Sequence, residues 1–498
     1  MDVKQVAWVS AGLFLVGCGG GGGEEKELPP VVSVDTGAEA DTTGGEVDAG
    51  GGDVETAPPE RPADPEVWGA EPLEDQNPDP DIVEVNLTAK TTPVDLGTEQ
   101  HPFMYTFNGM IPGPLIEADV GDRVIVHFEN RLSEKTTIHW HGLRIDDEMD
   151  GTPRVQDPIG PRDTFTYDFV VPDAGSYWYH PHVRGNEQVE RGLYGLFIVR
   201  GEDEPKYHRE RYFTIDDILL TEDGIPPFLQ SRPELMHGRT GNVLLTNGTA
   251  KVHELEATKG EVERWRIVNP SNARTMEISV EGAEWRVIGT DGGLLPEPYT
   301  TERLEVPVGA RYDLEVRYTE SGSAKLKSHM LVRNDQGEVV TEAFDLADVQ
   351  VADSTWEAPT IEWPDISYPI TERKPMRSET IAFDARQGGE HGIEWTLNGK
   401  AAPEEPLFTF GEGKTVRITL NNQAGPEHPF HLHGQFFTVV DDGRPVTDKP
   451  GLKDTVLVPG QTKLDIIAYM DNPGRWMTHC HILEHVELGM MAEMVVEE

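Results

Sequence analysis

Ten of the 17 histidines crowd into four short stretches: HWHG with His139 and His141, HPH with His180 and His182, HPFHLHG with His428, His431 and His433, and HCHILEH with His479, His481 and His485. Each stretch contains a His-x-His step. On a β-strand alternate side chains share a face, so each step aims two imidazoles at one place. Neutral imidazole is a common ligand for transition metals. One such pair is weak evidence for a metal site. Four pairs, two in each end of the folded body, are strong evidence. His101, His127, His208, His237, His253, His329 and His391 stand alone and read as surface or core residues.

Residues 479–490, HCHILEHVELGM, raise a sharper question. In an extended chain Cys480 points away from His479 and His481, so one strand would feed two sites on opposite faces. The four His-x-His pairs supply eight imidazoles. That exceeds what one ion takes and suits a cluster of about three. Left over are His428, Cys480, His485 and Met490. Two histidines, a cysteine and a distant methionine form the ligand set of a blue-copper electron-transfer centre. A copper thiolate also accounts for an unpaired Cys480 in an exported chain. Zinc would explain each pair alone, but neither the His-Cys-His junction nor the methionine.

These side chains need a scaffold of short strands, and the chain carries the pattern for one. From residue 82 onward, Val/Ile/Phe-rich runs are broken by Gly, Pro, Asn and Asp, which signals all-β structure. A pattern recurs: GDRVIVHFEN (121–130), GEVERWRIVN (260–269) and GKTVRITLNN (413–422). An Asn-Gly pair precedes each one, at Asn108-Gly109, Asn247-Gly248 and Asn398-Gly399, and a glycine-containing turn follows. Landmarks repeated three times imply three homologous domains, and their size and strand density suit Greek-key β-sandwiches. The expected boundaries are 82–200, 205–350 and 365–498, with 353–369 as a linker. The first and third repeats share a glycine five residues before a histidine (Gly175 to His180, Gly474 to His479), and the second lacks it. The second domain is therefore expected to hold no metal ligand.

The ends and the charge bound the rest. A length of 498 residues allows two to four domains. The net charge is −47, of which −16 falls in residues 24–81; it excludes nucleic acid as a partner and disfavours anionic substrates. No apolar run is long enough for a transmembrane helix. Residues 1–17 read as a signal peptide ending in a lipobox-like Leu15-Val16-Gly17-Cys18, so Cys18 is expected to carry a lipid. Residues 18–81, acidic and rich in Gly and Pro, read as a disordered tether. The expected location is the bacterial cell envelope, with the N-terminal lipid as the only membrane contact and a monomer as the expected state.

Taken together, the four histidine motifs and the three repeats resemble the multicopper oxidases of the three-domain laccase type, over roughly 82–498. The resemblance implies three cupredoxin domains and about four copper ions per chain. It implies type 1 copper held by His428, Cys480 and His485 with Met490 axial, type 2 copper by His139 and His431, and the type 3 pair by His141, His180, His182, His433, His479 and His481. Cys480 would carry electrons from a reducing substrate to the cluster, where dioxygen becomes water. In bacterial relatives an acid lies nine residues after the second histidine of the first motif; here that is Asp150, a candidate for proton delivery. In several relatives a glutamate follows the last type 1 histidine; here Val486 stands there and Glu487 comes one later, so the relay role falls first to Asp150. A methionine axial ligand implies a lower type 1 potential than that of fungal enzymes with an apolar residue there.

Two classes of reductant fit the sequence. One is phenols and aromatic amines; the other is Cu(I), Fe(II) or Mn(II). The 13 methionines are scattered, unlike the methionine-rich insertion of cuprous oxidases. A metal-free scaffold is the third alternative, and the complete ligand set argues against it.

Overall fold

The computed structural model describes residues 66–333, 338–368, 370, 373–440 and 451–498. The signal segment, Cys18 and the first part of the expected tether lie outside the described residues. The fold is nearly all β. Its strands sort into six sheets, two in each of three sandwiches. Among the described residues, no helix is long and apolar enough to cross a membrane.

The repeated motifs explain why the same sandwich recurs. Each becomes a central strand, Arg123–Asn130, Val262–Val268 and Lys414–Asn422, paired in parallel with an earlier strand of its own domain. Each Asn-Gly pair has positive φ at both residues (52° and 96°, 47° and 73°, 51° and 74°). That is the geometry of a tight type I′ hairpin, which Asn and Gly tolerate best. The turn asparagines repeat one bond: Oδ1 of Asn108, Asn247 and Asn398 accepts the N–H of Thr88, Thr214 and Ala382 at 2.7–2.8 Å. The asparagines that end the motifs do likewise. Asn130, Asn269 and Asn422 donate Nδ2–H to the carbonyls of Ile159, Val306 and Val458, and accept the N–H two residues on. The motif is thus a set of side-chain clips that join the ends of neighbouring strands.

In the first sandwich, one sheet runs Phe103–Phe107, Ile82–Pro93, Arg123–Asn130, Thr164–Val170, and the other runs Gly113–Asp119, Gly195–Arg200, Gly175–His180, His139–His141. The third sandwich places Phe408–Gly411, Met491–Glu497, Gly474–Cys480, His428–Leu432 and Thr455–Val458 in one sheet. The histidine motifs thus sit on the sheet that holds His139–His141 and Gly175–His180 and on the sheet that holds His428–Leu432 and Gly474–Cys480, while the central domain lays strands Glu284–Thr290, Gly293–Tyr299 and Arg311–Arg317 against Gly175–His180.

Residues 66–81 differ from the tether expected of their composition. Glu66–Trp68 adds a parallel strand to the central domain beside Arg209–Arg211, and the Trp68 ring packs on Phe213 and His253. Leu73 N–H then donates to Leu115 O in the first domain. One tryptophan and a few alternating apolar residues outweigh a polar average. The stretch 353–369, expected as a linker, has no strand in its described part, but Trp363 donates to Leu295 O at 2.9 Å and is laid on the central domain.

Candidate metal centre

Strand register brings the histidines together. His139 faces His180 across an antiparallel pair, with His141 opposite Trp178. In the third domain His431 faces His479, and Phe430 faces Cys480. The first and third domains press these two sheets against each other. Overlapping groups result: His139, His141 and His431; His139, His182 and His433; His141, His180 and His481; His431, His433 and His479. Within each group the ligand atoms lie within 4.8 Å of one another. Because the groups share members, they form one continuous cluster of eight imidazoles. Rings from opposite domains stack, His139 on His433 at 3.9 Å and His141 on His431 at 3.8 Å. His182 alone keeps partial exposure.

The alternation at Cys480 is as strand geometry requires. His479 and His481 point into the cluster, their rings 5.5 Å apart. Cys480 turns the other way, into the third domain's core. There its Sγ lies 3.4 Å from His428 Nδ1 and 3.7 Å from His485 Nδ1, and the two Nδ1 atoms are 3.2 Å apart. Met490 is fully buried in the same core. Its carbonyl accepts Cys480 N–H at 3.1 Å and its N–H donates to His485 O at 2.8 Å. Trp395 stacks on the His485 ring at 4.1 Å. One strand therefore serves two sites.

The donor set fits metal ions. Nδ1 of His139, His180, His431 and His479 hydrogen-bonds to the backbone carbonyls of Asp150, Pro181, Asp454 and Cys480. Those bonds fix the tautomer and leave Nε2 as a lone pair facing inward. Nε2 of His139, His180, His182 and His431 is buried with no protein partner, a costly state unless an ion takes the lone pair. Burial, reinforced by neighbouring imidazoles, holds His141, His180, His182, His433, His479 and His481 well below the usual histidine range. Burial alone pushes His428 down to about 3. These rings are neutral at pH 7 and ready to ligate. Burial pushes the Cys480 thiol up, so its thiolate needs a cation beside it.

Carboxylates brace the cluster. Asp150, 1% exposed, lies 3.0 Å from His433 Nδ1 through Oδ2 and 3.2 Å from His139 Nδ1 through Oδ1. Glu487 is turned elsewhere, its Oε1 accepting the Gly185 N–H at 2.9 Å in the first domain. Sequence reasoning missed Asp454, Thr455 and Arg311. Asp454 Oδ1 and Thr455 Oγ1 approach His141 Nε2 at 3.2 and 3.3 Å. Arg311, from the central domain, donates two hydrogen bonds to Asp454 at 2.6 and 2.7 Å. Burial raises the Asp454 carboxyl, but Arg311 and His141 outweigh it and hold the group well below the usual carboxylate range. No local spacing marks these residues; they meet the cluster only through domain packing.

A thiolate centre joined through one strand to an eight-imidazole cluster, held between the outer two of three cupredoxin folds, defines a copper oxidase. Models of the multicopper oxidase family match residues 88–204, 221–326 and 374–498, and the chain belongs to that family. It is similar to the multicopper oxidase MmcO of Mycobacterium tuberculosis, at 30% identity over 447 residues covering 83% of this chain and 86% of that protein. Laccase-2 of Botryotinia fuckeliana is 28% identical, with 78% of each protein covered. Among solved structures, a multicopper oxidase of Campylobacter jejuni, a metallo-oxidase, matches with a TM-score of 0.75 at 27% identity, covering 91% of this chain and 99% of that one. The two clusters match the type 1 and trinuclear copper sites of this family.

Proposed function

We propose that this multicopper oxidase takes electrons from phenols and aromatic amines. The observation that carries the reading is the surface over His485. His485 Nε2 meets Met236 O at 3.3 Å, and the partly exposed apolar side chains of Leu229, Leu235 and Met236 pack on the core that holds Trp395, Cys480 and Met490. An apolar rim beside the outer type 1 ligand suits a neutral aromatic ring better than a hydrated ion. A second reading, oxidation of Cu(I), Fe(II) or Mn(II), draws on the net charge of −47 and on the likeness to the Campylobacter metallo-oxidase. Oxygen uptake with a phenol, Cu(I), Fe(II) and Mn(II) in parallel tests the choice. Fastest turnover on the phenol is expected; turnover on a metal ion alone contradicts it.

Copper, when bound, would supply one-electron uptake at the centre that His428, Cys480, His485 and Met490 would hold, and four-electron reduction of dioxygen at the cluster. The protein's own part is positional. His139 and His431 would hold the type 2 ion; His141, His180, His182, His433, His479 and His481 would hold the type 3 pair. Cys480 is bonded along the chain to both His479 and His481, the shortest covalent route between the sites. Asp150 orients His433 and His139 and is placed to pass protons toward the cluster. Glu487 Oε1 accepts the Gly185 N–H, so the proton role is assigned here first to Asp150. We propose further that the chain is exported and tethered by a lipid on Cys18, on the strength of the LVGC sequence and the acidic stretch behind it. Cys18→Ala should release the protein from membranes; continued membrane binding contradicts the anchor.

A further inference from the structure

The central domain contributes no member of either cluster, yet it grips the segment that joins them. After His481 the chain enters the short helix Leu483–Glu487, which carries His485. Glu484 on this helix is fully buried. Its Oε2 accepts the Arg239 backbone N–H at 2.9 Å, and its Oε1 accepts Asn272 Nδ2–H at 2.8 Å. Asn272 O in turn accepts Leu483 N–H at 3.0 Å. Both partners belong to the central domain. Asn272 Nδ2 also donates to Asn186 O of the first domain at 2.7 Å, so one amide ties all three domains together.

The grip is itself braced. Arg239, fully buried, donates to Glu190 Oε1 at 3.1 Å, Glu234 Oε1 at 3.0 Å and Pro226 O at 2.9 Å, with its guanidinium over the Phe228 ring at 4.1 Å. Gly238 has φ +78°, and a Cβ there would lie 2.5 Å from Ile482 Cγ2 and 3.1 Å from Glu484 Oε2. The backbone must come this close for Arg239 N–H to reach Glu484. Burying a carboxylate costs several kcal/mol unless it is paired and hydrogen-bonded. A hydrophobic side chain would fill the same space without that cost, so packing alone does not account for a glutamate here.

We infer that Glu484 is a positioning residue through which the central domain, by Asn272 and the Arg239 backbone, sets the geometry of the Cys480–His485 segment and hence the electronic coupling between the two copper sites. The inference rests on the copper assignment above and is independent of the reductant.

Two mild variants test it in the full chain. Asn272→Ala removes one donor from the far side, and Glu484→Gln keeps the shape while removing an acceptor. Hydrogen exchange in copper-free protein is expected to rise about tenfold or more across residues 482–488 and stay unchanged across 175–180. In copper-loaded protein, the type 1 absorption and its EPR hyperfine splitting should shift. Transfer from reduced type 1 copper to the cluster should slow about tenfold, while bimolecular reduction of type 1 copper by the donor holds within about twofold. Unchanged exchange, spectrum and transfer rate would overturn the assignment. So would a lower melting temperature with an unaltered spectrum and transfer rate. The exchange measurement needs no copper, so it separates failure of the grip from failure of the copper assignment.

Discussion

Asp150 faces ring nitrogens of two clustered histidines at once, His433 and His139, and that double contact makes a test at residue scale. Asp150→Asn keeps the size but replaces one acceptor oxygen with a donor. Oxidation of reduced enzyme by dioxygen should slow by about 10- to 100-fold, with type 1 reduction by donor unchanged; equal rates for both steps would contradict the role. The same scale shows what the sequence discloses. The His-x-His steps were legible because strand alternation is a local rule, and Cys480 was legible for the same reason. Asp454 and Arg311 were not. A carboxylate in KDTVLV and an arginine after Gly309-Ala310 carry no sign that folding will seat them 2.6 Å apart beside His141. The one-residue offset at Val486 did carry information: Glu487 is turned to Gly185 rather than to the cluster.

Elements position these residues by close backbone approach, and Gly309 is the sharpest instance. It has φ +84°, and a Cβ would sit 2.8 Å from His481 Cδ2. Gly309→Ala is therefore expected to displace His481, lowering bound copper and slowing dioxygen reduction about tenfold. The blue type 1 absorption on the far face of the strand should persist. Loss of that absorption together with full cluster occupancy would refute the two-face account. The asparagine clips make a prediction about stability. Asn269 is fully buried, bonded through both side-chain atoms, and Asn269→Ala leaves the Val306 carbonyl and the Ser271 N–H unpaired. A loss of about 1–3 kcal/mol is expected in denaturant unfolding. The repeats were readable because each clip needs an asparagine at a fixed strand end. Residues 66–81 were misread because composition averages over a segment in which a single residue, Trp68, supplies the anchoring contact.

For the whole molecule, the buried imidazoles link stability to pH. Burial holds them below the usual histidine range in the folded chain, whereas unfolded histidine titrates near ~6.5. Below that value the unfolded state binds more protons, so folded stability falls as pH drops. Copper-free protein should lose melting temperature steeply from about pH 6.5 downward, and copper should move the fall to lower pH, since metal holds the rings neutral. Relief of repulsion within a chain of charge −47 acts in the opposite direction, so the scan belongs at about 0.5 M salt, where surface charges are screened. A flat melting curve down to about pH 5 would contradict neutral buried rings. The three-sandwich architecture was legible from the repeats. The interlocking at its centre was not: Arg311 reaches from the central domain to Asp454 beside His141, and the Arg239 backbone to Glu484 on the helix that carries His485, and only packing reveals that.

The central claim is that the two clusters work as one device, passing single electrons from a donor to dioxygen. The most direct test is stoichiometry: donor oxidised against dioxygen consumed, with peroxide assayed in the same vessel, for copper-loaded enzyme. Four one-electron donors per dioxygen, with no hydrogen peroxide, is the expected result. Two donors per dioxygen with peroxide accumulating, or donor oxidation without oxygen uptake, would contradict it.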